Sequence, residues 1–286
     1  MDLFDIGEII DESRPILKAP FGYPGGKSRS LKYILPHLPY RSTYIEPFGG
    51  SAAILLARRQ SKFEVYNDRY AGVVDFYRCI REPAKCAALM ERLNLSIHAK
   101  EDFYINRDTW QDMEDPVERA ARWYLMTAYS FGQLGRNWGR SVSANSILSG
   151  KVLNRVPGFL DLHARFRNVQ IENNDAIQLM YDYDTPETVY YLDPPYVDSY
   201  AGTYKNEMSH AQHRVLIDRI FAMKGFVAVS GYSNPLYEDN DWDNRLEWDV
   251  NVSIRSEAFT EGNGKADQKN IDAGRKTAKE VLWIKE

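Results

Sequence analysis

The chain has 286 residues, 44% of them hydrophobic and 27% charged, the make-up of a folded globular protein with room for one large domain or a core plus an inserted module. It shows no apolar run of membrane-spanning length and no signal-peptide pattern, and Cys79 and Cys86 are too few for a disulfide framework or a zinc site, so a cytoplasmic protein away from membranes is expected. The net charge of −4 does not by itself suggest a nucleic-acid partner, but its distribution does. From Arg14 to Arg41 there are basic residues and no acidic one, and Phe131 to Gln170 carries Arg136, Arg140, Lys151, Arg155, Arg165 and Arg167 against Asp161 alone. Charge runs are commonly solvated surface; two cationic stretches rich in glycine and aromatics are better explained by a polyanion.

Residues 1–18 are weakly patterned and read as an extended lead. In FGYPGGKSRS, from Phe21 to Ser30, Pro24, Gly25 and Gly26 make a turn, and Leu31, Ile34, Leu35 and Leu38 follow at helical spacing. PGGKS is not a phosphate loop: that loop needs a glycine where Phe21 stands, and no strand precedes it. Next, EPFGGSAAILLARR reads as a strand ending at Glu46, a turn at Gly49 and Gly50, and an apolar helix from Ala52. A small-residue turn between a first strand and a helix is where a nucleoside cofactor sits in doubly wound folds, and the lack of G-x-G-x-x-G points away from a dinucleotide. Phe63 to Tyr66 is a second strand. Asp68 follows it, near the spacing of an acid that accepts from ribose hydroxyls; it is equally a candidate N-cap for a helix from Arg69 to Ile80.

Residues 81–165 break the alternation of strand and helix. Helices are expected from Ala87 to Leu95 and from Asp115 to Tyr129, the latter opened by a cap and a proline. SFGQLGRNWGRS, residues 130–141, then has the chemistry of a hairpin or loop, with Gln133, Arg136, Asn137 and Arg140. The alternation resumes with strands from Val169 to Glu172, Thr188 to Leu192 and Gly225 to Ser230. Helices are placed from Ala176 and from Ser209 to Met223, and a final strand pair from Leu246 to Ile254 and Val281 to Ile284. Asp198 to Met208 and Glu261 to Lys279 read as loops, the second mobile. His210 and His213 lie one turn apart without further ligands, so surface histidines are expected and no metal site.

The strand from Thr188 to Leu192 stops at Asp193, Pro194, Pro195 and Tyr196. Proline removes a ladder donor and restricts the residue before it, so regular structure ends there. A carboxylate, outward carbonyls and an aromatic ring are left at the C-terminal end of a strand, where open α/β sheets bind ligands. That set suits a planar, amine-bearing ring: two acceptors for an NH2 group and a π face. A strand followed by a rigid turn is the plain alternative.

The order PGGK, EPFGGSAA, an acid after the next strand, an inserted module, then DPPY resembles the DNA N6-adenine methyltransferases of the Dam-like class over roughly residues 20–285. The resemblance implies a Rossmann-like α/β sheet that binds S-adenosyl-L-methionine, formed by residues 1–80 and 166–286, with a mainly helical target-recognition domain carrying a hairpin at residues 81–165. It implies a cofactor pocket drawn from Tyr23, Gly26, Lys27, Glu46, Pro47, Phe48, Gly49, Gly50, Ser51, Asp68, Asp175, Ala176 and Asp193. Within it Glu46 would lie near the methionine portion, Asp68 at the ribose and Asp175 at the cofactor adenine. Asp193, Pro194, Pro195 and Tyr196, with Lys27 beside them, would form the catalytic site, and Gln133, Arg136, Asn137, Arg140, Lys151 and Arg155 would meet double-stranded DNA.

The chemistry agrees with those residue types. The adenine N6 lone pair is delocalised; hydrogen bonds from its protons to the Asp193 carboxylate and Pro194 carbonyl favour a pyramidal, nucleophilic nitrogen. The base must leave the duplex, and Tyr196 offers it a stacking surface. An RNA adenine or a protein glutamine amide is an alternative substrate, and a catalytically inactive DNA-binding protein is an alternative of another class. A monomer or weak dimer of bacterial or phage origin, with a cognate restriction endonuclease as an allowed partner, completes the expectation.

Overall fold

The computed structural model describes residues 16–141, 147–197, 207–252 and 276–286. Seven strands form one sheet: β1 (Thr43–Glu46), β2 (Phe63–Asn67), β3 (Val169–Glu172), β4 (Thr188–Leu192), β5 (Phe226–Tyr232), β6 (Asn244–Val252) and β7 (Lys276–Lys285). Their order is β3-β2-β1-β4-β5-β7-β6. The first five run parallel, and β7 is antiparallel to both β5 and β6. The chain therefore winds outward one way from β1 and the other way from β4. Those two strands are neighbours, with Ile45 opposite Tyr190. Ligands in doubly wound sheets bind at such a reversal, beyond the carboxyl ends of the strands. Glu46 and Asp193 leave the sheet at that place.

Burial explains why β4 reads as a continuous apolar run. All five of its residues are buried, because a parallel strand is covered on both faces. Val189 and Tyr191 point into one core and Tyr190 and Leu192 into the other. The second core is roofed by α9 (Ala176–Asp182) and α10 (His210–Phe221), whose N-terminus carries a reciprocal Ser209–Gln212 capping box.

The first core is larger and aromatic. It takes in α1 (Leu31–Ile34), α2 (Ala53–Ala57) and α3 (Ala71–Arg81), and five helices lying between α3 and β3. These are α4 (Pro83–Asn94), α5 (Lys100–Thr109), α6 (Pro116–Tyr129), α7 (Leu148–Leu153) and α8 (Phe159–Phe166). The region between β2 and β3 is thus helical, and it packs into the sheet's own core. Phe21, from the lead before the PGGK turn, sits edge-on to Phe76 of α3 and Trp123 of α6 at 5.3 and 4.9 Å between ring centroids. The α6 cap is Asp115, whose carboxylate accepts from Val117 N, with Pro116 in the first turn. A last short helix, α11 (Pro235–Glu238), follows β5.

Several local expectations are corrected. The helical segment from Leu31, which Pro36 and Pro39 were expected to close, is a four-residue α-helix followed by a 3-10 turn at Pro36, since proline cannot supply the helical donor. Helix α3 begins at Ala71, and Asp68 does not cap it; the Asp68 carboxylate turns back to Gly50 N and Tyr70 N. α5 was not expected: its polar sequence buries little beyond Phe103 and Asn106. His213 is fully buried, not on the surface, because its ring meets the Tyr237 hydroxyl at 2.9 Å under α10. Lys276 to Lys279, expected within a mobile loop, belong to β7. The rest of that loop, and most of the one after Tyr196, lie outside the described residues. Arg165, one of the second basic stretch, is buried and holds Glu64 of β2 together with the carbonyl of Leu55 at 2.7 Å.

Candidate active site

The turn after β1 is fixed from beneath. Gly49 N donates to Asn67 O at 2.7 Å, and a Cβ at Gly49 would lie 2.2 Å from the Tyr66 ring, so only glycine lets the turn lie against β2. Gly50 has a φ of +48°, the left-handed region that glycine reaches without strain. Its N–H donates to Asp68 Oδ2 at 2.8 Å, and its carbonyl accepts from Tyr66 OH at 2.6 Å. Ser51 O accepts from Tyr77 OH at 2.7 Å. Two strand ends and α3 therefore hold one short loop.

Above this turn opens a cleft that runs along the carboxyl ends of β1, β2 and β4. Tyr23, Gly26, Lys27, Glu46, Pro47, Phe48, Gly49, Gly50, Ser51, Asp68, Asp175, Ala176 and Asp193 all line it. So do Asn67, the residue before Asp68, and residues that the motifs did not point to, among them Asn174, Ile177 and Gln212. They come from strand ends and helix starts whose own sequences carry no distinguishing pattern.

Two carboxyls in the wall are perturbed. Burial pushes the Glu46 carboxyl up to about 8, against the opposing hydrogen bond from Tyr44 OH at 2.6 Å. Burial likewise raises Asp68 to about 6, opposed by backbone donors including Tyr70 and Gly50. Asp175 is different: its side chain is more than half exposed and caps α9, accepting from Ile177 N at 3.0 Å.

At the β4 end of the cleft, Lys27 is 3% exposed and lies against Asp193. Its Nζ is 2.7 Å from each Asp193 oxygen, 2.7 Å from Gly25 O and 2.7 Å from Tyr196 OH. Burial by itself would lower the Lys27 pKa, but the charges of Asp193 and Glu280 outweigh it and raise it. Burial pushes Asp193 up while the Lys27 ammonium opposes the change; the contact geometry is that of an ion pair. Ser230 of β5 donates to Asp193 Oδ1 at 3.0 Å, and its hydroxyl meets Tyr191 OH at 2.8 Å. Tyr196 is 8% exposed, its ring edge-on to Tyr232 at 4.5 Å. Its hydroxyl donates to Glu280 on β7 at 2.7 Å. Sequence reasoning missed Glu280, Ser230 and Tyr232. No local signal marks them, because only strand register carries them to the site.

A family profile described as D12 class N6 adenine-specific DNA methyltransferase matches residues 23–254, from the cleft's first residue through β6. The chain belongs to this family. Among similar curated proteins, a modification methylase StsI of Streptococcus sanguinis is 23% identical over 69% of this chain and 31% of its own length. A modification methylase LlaI of Lactococcus lactis subsp. lactis is 27% identical over 65% of this chain and 30% of its own length. A type II methyltransferase M.CviBI of Paramecium bursaria Chlorella virus NC1A is 27% identical over 64% of this chain and 69% of its own length. The chain thus spans about a third of the length of the first two.

In this D12-family chain the glycine-rich loop of residues 130–140 closes by a single antiparallel bridge, Ser130 to Trp138, with Phe131 N donating to Asn137 O at 2.8 Å. Gly132, Gln133 and Gly135 all have positive φ, near +65°, +61° and +69°. Trp138 stacks on His98 of the segment before α5, at 4.2 Å. Arg136, Asn137, Arg140 and Lys151 are exposed. Gln133 and Arg155 are half-buried and bond to the lead: Gln133 Oε1 accepts from Gly22 N at 2.6 Å, and Arg155 donates to Pro20 O at 3.3 Å. Tyr124 OH donates to the same Pro20 carbonyl at 3.1 Å. No helix among the described residues is long and apolar enough to cross a membrane.

Proposed function

We propose that the protein methylates the N6 amine of adenine in double-stranded DNA, with S-adenosyl-L-methionine as methyl donor. One observation carries the reading: at the β1/β4 reversal, a cleft walled by Glu46 and Asp68 opens onto the Asp193-Pro194-Pro195-Tyr196 strand end, where Lys27 already pairs with the carboxylate. Family membership supports the same chemistry, and the relatives' names as modification methylases support action at defined DNA sites.

The wall residues suit the cofactor. Glu46 is a buried carboxyl with a pKa of about 8, met by a hydroxyl rather than by a cation, and the ammonium of the methionine portion would complete it. Asp68 keeps lone pairs beyond its two backbone bonds and can accept from ribose hydroxyls. Ala176 and Ile177 at the start of α9 border the adenine end, with Asp175 beside them. When bound, S-adenosyl-L-methionine supplies an electrophilic methyl group on a sulfonium centre.

This chain's own residues do the rest. Asp193 Oδ and the Pro194 carbonyl accept hydrogen bonds from the N6 amino group, turning its lone pair out of the ring, and the methylated nitrogen would then lose one proton to solvent. The carboxylate then stabilises the positive charge that grows on nitrogen, in a buried site where such a charge counts for more than in water. Tyr196, anchored through its hydroxyl, backs the flipped base. Residues 81–165 act as the target-recognition domain, with Arg136, Asn137 and Arg140 directed to DNA and Gln133 and Arg155 fastening that domain to the catalytic lead. A cognate restriction endonuclease is the partner that a modification role implies.

The test is transfer of tritium from labelled S-adenosyl-L-methionine to unmethylated duplex DNA, total RNA and protein extract in parallel. The reading expects label in DNA only; label in RNA or protein alone overturns it.

A further inference from the structure

Glu280 stands on β7, far in sequence from every motif of the site, yet its carboxylate closes the catalytic cluster. It is 4% exposed. Oε1 accepts from Tyr196 OH at 2.7 Å and lies 3.3 Å from Lys27 Nζ, while Oε2 accepts from Ser30 Oγ at 2.7 Å. Lys27 meanwhile sits on both oxygens of Asp193. Lys27 and Ser230 between them already engage both oxygens of Asp193, so an amine that takes the carboxylate competes with the ammonium for it. Where the amine displaces the ammonium, a buried ammonium that leaves one anion needs another. Glu280 is that anion, already within ion-pair distance.

We infer that Glu280 is a positioning residue: it receives the Lys27 ammonium when the target amine takes Asp193, and through Tyr196 OH it keeps the stacking ring in place during the exchange. The inference rests on the amine-methylation reading above. Lys27 between Asp193 and Glu280 makes a cluster of one positive and two negative charges. With Lys27 moved onto Glu280, Asp193 keeps its full charge for the nitrogen. No bond is made or broken in the exchange, and no proton changes hands.

Glu280→Gln tests it, because the amide is isosteric and can still accept from Tyr196 OH and donate to Ser30 Oγ, while losing the charge that holds Lys27. The readouts are the single-turnover rate of tritium transfer to long unmethylated duplex DNA, the affinity for S-adenosyl-L-methionine by calorimetry, and thermal melting. We expect the transfer rate to fall about ten- to hundredfold, with cofactor affinity within about twofold of wild type and an unchanged melting temperature. Glu280→Asp, which keeps the charge, should be faster than Glu280→Gln. In a Lys27→Met background Glu280→Gln should cause little further loss. A Glu280→Gln rate within twofold of wild type overturns the inference. So does a Glu280→Asp rate no higher than that of Glu280→Gln, or a full further loss in the Lys27→Met background. Wild-type protein that labels no DNA overturns the substrate reading itself, and the inference with it.

Discussion

Gly22 N donates to Gln133 Oε1 at 2.6 Å, joining the segment that delivers Lys27 to the tip of the glycine-rich loop across 111 residues of chain. A Cβ at Gly22 would stand 2.5 Å from that oxygen. Gln133 is held for the purpose in the left-handed region, at φ +61°, where a non-glycine residue costs about 1 kcal/mol. Gly22→Ala should expel the Gln133 side chain and lose a half-buried hydrogen bond, lowering stability by about 1 kcal/mol. It should weaken DNA methylation without changing cofactor affinity. Gln133→Ala should match it, and the double variant should be little worse than either, since both remove one contact. Additive losses by denaturant unfolding and transfer assays would show that the two residues act separately.

Glu46 makes stability depend on pH. Its carboxyl titrates near 8 in the folded chain and near 4.3 in an unfolded one. Below the unfolded value it is protonated in both states and costs nothing. As pH rises from there to about 8, the folded chain must keep a proton that the unfolded chain releases, so stability is lost over that window and the loss levels off above it. Glu46→Gln should therefore gain on wild type steadily between pH 5 and 8, by a few kcal/mol at the upper end on the order expected for a buried carboxyl. Melting temperatures of both proteins across that range are the check; a constant difference would contradict it. The same variant should bind S-adenosyl-L-methionine more weakly, having lost the carboxylate charge that its ammonium would meet.

Much of this site is legible in the sequence because its groups are consecutive. Asp193 to Tyr196 and Glu46 to Ser51 are single runs at the ends of strands, where composition and turn chemistry point directly to the cleft. What the sequence hides is what pairing brings in. Ser230 reaches Asp193 through the parallel register of β5 on β4, in which Val229 faces Leu192, and Glu280 reaches Lys27 and Tyr196 through the antiparallel register of β7 on β5, in which it faces Tyr232. Asp68 shows the same limit at short range: its spacing permits a helix cap, yet burial beside the Gly50 turn sends its oxygens elsewhere. α5 escapes notice because a helix that buries chiefly Phe103 has almost no periodic signal. Arg165 shows that a basic stretch is not uniformly surface, since Glu64 and Arg165 satisfy each other beneath α8.

Arg136 and Arg140 are exposed on the loop face, and Arg107 donates to Arg136 O at 3.1 Å, which fixes the backbone but leaves the guanidinium outward. Arg136 should read a base and Arg140 a phosphate. Arg136→Ala should then cost about 1–3 kcal/mol of discrimination and relax the methylated sequence at one position. Arg140→Ala should weaken binding to all sequences alike and flatten the salt dependence of log K by about one unit. Binding titrations over a range of salt, on matched and unmatched duplexes, separate the two; identical salt slopes for both variants would contradict the assignment.

Asp193 as the grip on an adenine amine drawn from duplex DNA can be tested in cells. The most direct measurement is modification-sensitive long-read sequencing of DNA from cells that lack adenine methylation and express either this chain or its Asp193→Ala form. The account predicts N6-methyladenine at one short recurring sequence with the wild-type chain. It predicts none with the variant, although the variant stays folded and still binds S-adenosyl-L-methionine. Unmodified adenine with a folded wild-type chain, or methylation that survives Asp193→Ala, would contradict it.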